Sequence, residues 1–293
     1  MNDRKPRSLQ NTAAIKKLAP AKLNLLLEIT GLRKNGYHEI MSVFVPVALY
    51  DTLRISKRAR GLEVHCSGKK VPGGRANLVY RAAACFFEST GIDEGADIRL
   101  TKNIPVSSGL GGGSSDAAAT LLGLNQLWDK PLNKGRLEAI ALSLGADVPF
   151  FLLRRPAVAR GIGEILRPIE GFPLFWYVIV SPPITVSTAW AYGKVKLELT
   201  KKEDLNKIAQ LRKADTNIPD ILSNDLESVT FGKYPFLRSI KTSLIEAGAL
   251  GSLMSGSGPS IFGLFNSEKK AQEAGKMLAS NMSGEVFVVM GLS

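Results

Sequence analysis

The stretch Pro105-Val106-Ser107-Ser108-Gly109-Leu110-Gly111-Gly112-Gly113-Ser114-Ser115-Asp116 limits the fold of this chain more than any other segment. Before it, Asp97–Lys102 reads as a strand, ended by Ile104-Pro105. After it, Ala117, Leu121, Leu124 and Trp128 fall at i, i+4, i+7 and i+11, the spacing of one buried helix face. The loop therefore joins a strand to a helix N-terminus. Glycines remove the Cβ atoms that keep a backbone away from a ligand, so successive N–H groups can close around an anion. The positive end of the helix dipole favours negative charge at the same place. Ser114 and Ser115 add hydroxyl donors or a ligand for magnesium. A tight connection needing only small residues is the alternative, but three consecutive glycines cost backbone entropy without another evident reason. The phosphate loop GxxxxGK[ST] needs a lysine that is missing here. The dinucleotide pattern GxGxxG, begun at Gly109, meets Ser114 in its last place. The HRD and DFG motifs of protein kinases are absent.

A chain of 293 residues suits two domains or one large one. Hydrophobic residues make up 45% and charged residues 22%, the balance of an ordinary soluble enzyme. No apolar run approaches the ~20 residues that span a bilayer. Met1–Gln10 is polar and lacks the apolar centre of a secretory signal, so a cytoplasmic location is expected. Cys66 and Cys85 lie outside any metal-ligand spacing and read as free thiols. The net charge of +12 fits nucleic acid, a membrane surface or an anionic small molecule. Part of it sits in residues 1–14, expected to be a disordered basic tail.

Strands are expected at Ile15–Leu18, Leu23–Ile29, Ile40–Leu49, Asp51–Lys57, Gly61–Cys66, Trp176–Ser181, Ser260–Phe265 and Glu285–Met290. Helices are expected at Asn77–Thr90, from the glycine loop to Trp128, and at Leu132–Leu144, Phe236–Ala247 and Glu268–Ala279. Asn77 suits an N-cap, and Gly91 and Gly145 suit stops. Leu197–Asp220 is charged and weakly patterned. Strands come in runs with helices between them, which predicts an α+β fold. The boundary is placed near Pro168–Pro173, giving residues 15–168 and 169–293.

Several side chains invite chemistry. Lys22 sits in an apolar strand, where it either snorkels to solvent or meets a carboxylate. Asn24 shares its strand face. Asp147 follows Gly145-Ala146 and precedes Pro149. It suits either a general base or the N-cap of a short helix. Tyr37 and His38 follow the turn at Gly36, and their adjacency suits recognition of an aromatic ring.

Three stretches together resemble the GHMP kinases, which phosphorylate small alcohols: Pro20-Ala21-Lys22-Leu23-Asn24, the loop extended to Ala118, and Leu253-Met254-Ser255-Gly256-Ser257-Gly258-Pro259-Ser260. Gly36-Tyr37-His38-Glu39, Asn77-Leu78, Gly145-Ala146-Asp147-Val148-Pro149-Phe150-Phe151 and Gly161-Ile162-Gly163-Glu164 resemble the branch whose acceptor carries a cytidine diphosphate. The likeness runs from Ile15 to Val289.

The resemblance implies an N-terminal domain like ribosomal protein S5 domain 2, a ferredoxin-like C-terminal domain, and a site between them. It implies transfer of the ATP γ-phosphate to the 2-hydroxyl of a cytidine-diphosphate-linked polyol, a step towards isoprenoid precursors. A homoserine or mevalonate type of kinase is the alternative. Lys22 and Asp147 are the implied catalytic pair. ATP is implied at Asn77, Leu78, Lys102, Pro105, Val106, Ser107, Ser108, Gly109, Leu110, Gly111, Gly112, Gly113, Ser114 and Ser115. The substrate is implied at Asn24, Tyr37, His38, Tyr192, Gly256 and Ser257, with Tyr37 and Tyr192 stacking on the two faces of cytosine. Mg2+ is expected with ATP, with Ser115 as a candidate ligand. Glu164 and Asn224-Asp225 match the family equally well as turn and cap residues. No nucleic-acid or membrane partner is expected: RNP, KH and dsRBD motifs are absent.

Overall fold

A computed structural model describes residues 14–195 and 218–293. The expected tail, apart from Ala14, and most of Leu197–Asp220 lie outside the described residues. Two sheets organise the rest. The first begins with two long antiparallel strands, β1 (Ala14–Leu32) and β2 (His38–Arg58). The sequence pattern divides each into two, and the register explains why. It shifts between Pro20 and Ala21, where Pro20 faces Tyr50 and Ala21 faces Val47. The chain bends there without leaving the sheet, so alternation breaks while pairing continues.

β3 (Leu62–Gly68) and β4 (Gly95–Lys102) extend this sheet on one side, and helix α1 (Leu78–Thr90) connects them. Asn77 caps α1 by accepting from Val79 N at 2.9 Å, and Gly91 ends it at φ 67°. Helices α2 (Gly112–Leu127), α3 (Lys134–Leu144) and α4 (Val148–Leu153) follow, then the hairpin β5 (Ala157–Arg160) and β6 (Ile165–Pro168). The apolar face of α2 meets Leu53, Ile55 and Phe86 in a first core. Ala117, Leu121 and Leu124 are buried there as their spacing predicts.

The second sheet holds β7 (Trp176–Ser181), reached from β6, and three later strands. Helix α5 (Thr188–Gly193) follows β7. The two-residue strand β8 (Ser223–Asn224) returns to pair in parallel with β1, so one strand from beyond residue 169 joins the first sheet. Then come α6 (Leu226–Lys233), α7 (Leu237–Glu246), β9 (Gly251–Met254), β10 (Ile261–Phe265), α8 (Glu268–Asn281) and β11 (Glu285–Met290). The sheet order β11-β7-β10-β9 is antiparallel throughout, the ferredoxin-like arrangement. Its inner face, with Tyr177, Ile179, Leu253 and Phe262, packs on Leu23, Leu25 and Val45 of the first sheet. The α+β fold is therefore built around two sheets pressed face to face.

Candidate active site

A cleft of about 1080 Å³ opens where β1, the glycine loop, α5 and the turn before β10 meet. Three segments distant in sequence form its floor, and Ser255 ties them together. Its Oγ accepts from Asn24 N at 3.3 Å and donates to Gly109 O at 2.9 Å. Lys22 N donates to Leu110 O at 2.9 Å, and Ser260 N to Ser108 O at 3.1 Å. Gly109 has φ 80°, and a Cβ there would stand 2.0 Å from Ser255 O. Gly111 has φ 70° and would press a Cβ on Phe151 and Lys22. The backbone reaches this close packing only without side chains.

Lys22 is 4% exposed. Its Nζ does not reach out to solvent. It donates to Asn24 Oδ1 at 2.8 Å, lies 3.4 Å from Asp147 Oδ2, and sits 4.3 Å from the centre of the Phe44 ring. Asn24 is fixed in turn by donating from Nδ2 to Ser42 Oγ at 2.9 Å. Asp147 occupies the N-cap of α4, yet its side chain makes no cap hydrogen bond. With 35% of its side chain exposed, the carboxylate faces the cleft and the Lys22 ammonium. The two sequence readings of Asp147 thus coincide in position and part in the use of the carboxylate.

At one end of the cleft lie Leu78, Pro105, Val106 and Ser107. Asn77 lines this end too, but its side chain is engaged: besides capping α1, Nδ2 donates to Pro72 O at 3.0 Å. At the other end Tyr37, His38 and Tyr192 line the wall. The His38 and Tyr192 rings are 5.4 Å apart and inclined at 39°. Burial lowers the His38 pKa. Burial, then the charge of Asp147, raises that of the Tyr192 phenol. The nearby Trp190 instead packs under Lys233. Ser257 Oγ pairs with Thr188 Oγ1 at 3.1 Å, and Gly256 approaches Asn24.

Two expected residues stand apart. Leu110 is wholly buried and contributes its backbone carbonyl, and Ser115 is 1% exposed; neither lines the cleft. The helix turn carries Ser115 to the far side of α2 while Ser114 and Asp116 face the opening. Asp116 is the residue that sequence reasoning left without a role. It is 3% exposed and shares the Lys102 ammonium with Asp51, at 2.7 Å from its own Oδ2. Its Oδ1, by contrast, has no hydrogen-bond partner. Burial, opposed by Lys102 and reinforced by Asp51, pushes its carboxyl up to about 8. The signal was an acid followed by the apolar run Ala117–Ala119 on a helix, a place where a carboxylate becomes buried and needs a partner.

The family described as GHMP kinases N terminal domain matches residues 77–155, and GHMP kinases C terminal matches residues 197–284. A protein of Syntrophotalea carbinolica named 4-diphosphocytidyl-2-C-methyl-D-erythritol kinase is 43% identical over 93% of this chain and 97% of its own. The chain belongs to the GHMP kinase family. Like its family it is a phosphotransferase that uses ATP and an alcohol acceptor. A Geobacter metallireducens protein of the same name is 43% identical over 94% of this chain and 97% of its own. The crystal structure of a 4-(cytidine 5'-diphospho)-2C-methyl-D-erythritol kinase superposes with a TM-score of 0.82 at 37% identity, covering 95% of this chain and 100% of that one. Homoserine kinase of Cytophaga hutchinsonii shares the fold, with a TM-score of 0.73 at 22% identity over 98% of this chain and 96% of that one.

Proposed function

We propose that this GHMP kinase phosphorylates the 2-hydroxyl of 4-diphosphocytidyl-2-C-methyl-D-erythritol, in the non-mevalonate route to isoprenoid precursors. The observation that carries the reading is one cleft with the Lys22–Asp147 pair between a glycine loop and the His38–Tyr192 ring pair. Each part has a task. The loop's backbone N–H groups and the α2 N-terminus hold the ATP phosphates. His38 hydrogen-bonds cytosine, and Tyr37 and Tyr192 stack on it; such stacking contributes about 1–3 kcal/mol per base. The acceptor hydroxyl then lies between base and phosphates, beside Lys22 and Asp147. Asp147 takes its proton. The Lys22 charge steadies the acceptor oxygen and the transferring phosphoryl group. Residues 15–168 supply the nucleotide and catalytic groups, and residues 169–293 close the substrate side through Tyr192, Gly256 and Ser257.

Mg2+ accompanies ATP in this reading, neutralising phosphate charge. Asp116 would suit it chemically once the metal displaces its proton: its Oδ1, buried, without a hydrogen-bond partner and on the cleft wall, would then be a hard donor of the kind magnesium takes.

The test is ATP turnover on a panel of acceptor alcohols with and without a cytidine diphosphate group. Turnover confined to the cytidine-bearing acceptor is expected. Equal or better turnover of homoserine or mevalonate, which carry no base to stack, would overturn the assignment.

A further inference from the structure

The turn that carries Tyr37 and His38 is held by a network outside the reacting centre. Arg33, at the start of this turn, donates from Nε to Glu39 Oε1 at 2.5 Å and from NH2 to Glu164 Oε1 at 3.2 Å. Glu164 lies on the far turn, between β5 and β6. Its second oxygen, Oε2, accepts from Ile162 N at 2.5 Å and so shapes that turn from within. The start of β2, just after the Tyr37 turn, also meets the far turn through the backbone, where Ile40 N donates to Gly161 O at 2.7 Å. Glu164 is well shielded, with 16% of its side chain exposed, against 31% for Arg33. Gly163 brings the network close to the centre: a Cβ there would lie 3.8 Å from Asp147 Oδ1.

These contacts do two things at once. Residues 33–38 otherwise form a short hairpin turn in which Tyr37 is 58% exposed. The turn's backbone closes on itself, Arg33 N to Tyr37 O at 2.7 Å and Gly36 N to Arg33 O at 2.9 Å, and a tether to a second turn restrains its tip further. The carboxylate of Glu164 supplies one, and it is anchored to the same backbone segment that stands behind Asp147. A network of this kind exceeds a single surface ion pair, because one carboxylate fixes both a guanidinium and a backbone N–H.

We propose that Glu164, acting through Arg33, is a positioning residue that holds the Tyr37–His38 arm in register with Asp147 and thereby sets affinity for the cytidine end of the substrate. The proposal rests on the reading of Tyr37 and His38 as base-binding residues. Where the arm spends only about a tenth of its time in the competent orientation, apparent affinity falls about tenfold.

Calorimetric titration of the full-length protein with cytidine 5'-diphosphate tests it, alongside steady-state kinetics. Glu164→Gln keeps an acceptor for Ile162 N and removes the charge opposite Arg33. Arg33→Gln removes the same link from its more exposed side, so a folded variant is at hand even where the first destabilises. Each is expected to weaken cytidine 5'-diphosphate about five- to thirtyfold, to raise KM for the cytidine substrate more than it lowers kcat, and to leave KM for ATP alone. Arg33→Lys should recover part of the loss, and the double variant should lose little more than either single one. Wild-type affinity in both folded variants, or equal loss for ATP and the cytidine ligand, overturns the proposal. Failure of the wild-type protein to bind cytidine 5'-diphosphate overturns the base-binding reading and the proposal with it.

Discussion

Asp147 sits at the N-cap of α4 but directs its carboxylate to Lys22, so its replacement separates chemistry from structure. Asp147→Asn keeps the shape and removes the basic oxygen. Single-turnover rates should fall by roughly 10²–10⁴, the usual contribution of a general base, with both substrates still bound. Lys22→Met should also slow the chemical step, and the double mutant should be far from additive because the two groups act together. Phosphoryl transfer has a loose transition state, so proton removal can come late. Near-wild-type chemistry in Asp147→Asn would make Asp147 an orienting group instead. Lys22 stood out as a charge beside the apolar run Leu23–Leu27, which left snorkelling or a carboxylate partner open; the family resemblance named Asp147, which local sequence does not, since 125 residues separate them. Ser115 and Asp116 show the limit at this scale. Adjacent residues on a helix point about 100° apart, and the motif alone does not say which of them faces the cleft.

Among the elements, the turn of Ser255 does the joining. It links β1 to the glycine loop through two hydrogen bonds of one hydroxyl. Ser255→Ala leaves Asn24 N and Gly109 O without that partner in a buried place. Unfolding in urea should show a loss of about 1–3 kcal/mol, the cost of buried groups left unpaired. Because the loop loses its brace, KM for ATP should rise as well. A variant with unchanged stability and unchanged KM would remove Ser255 from this role. Elements with a strong period were readable: β7 and β11 lie where the sequence places them, and α1, α3 and α8 agree within two residues at each end. The short strands were not: β5, β6, β8 and β9 have two to four residues each, too few to display a period, while α4 was open only as the short helix that Asp147 could cap. One of these missed segments, the turn of the β5–β6 hairpin, reaches the cleft at Ile162, so sequence reasoning found its residues more readily than its walls.

At the scale of the molecule, Asp51, Lys102 and Asp116 pin β2, the end of β4 and the N-terminal half of α2 to one buried point. Asp51 also accepts from Asn103 N at 2.6 Å and Ile104 N at 2.9 Å, holding the chain as it enters the glycine loop. Periodicity gave no sign of this trio, because its members lie in three elements and only the fold brings them together. It carries two acids to one base, and Asp116 resolves the excess. Its carboxyl keeps its proton up to about pH 8 in the folded chain, against an ordinary value of 3.8. The folded state therefore binds the extra proton between those values. The Asp116 contribution to stability is fully present below about 3.8 and is lost as pH rises through about 8. Asp116→Asn keeps a neutral, similarly shaped group at every pH and cannot follow that loss. Urea midpoints of wild type and variant, measured without nucleotide or magnesium at about pH 5 and about pH 8.5, should diverge, the variant gaining on wild type as pH rises. A constant gap across that range would mean that Asp116 is ionised throughout and that Lys102 balances both acids.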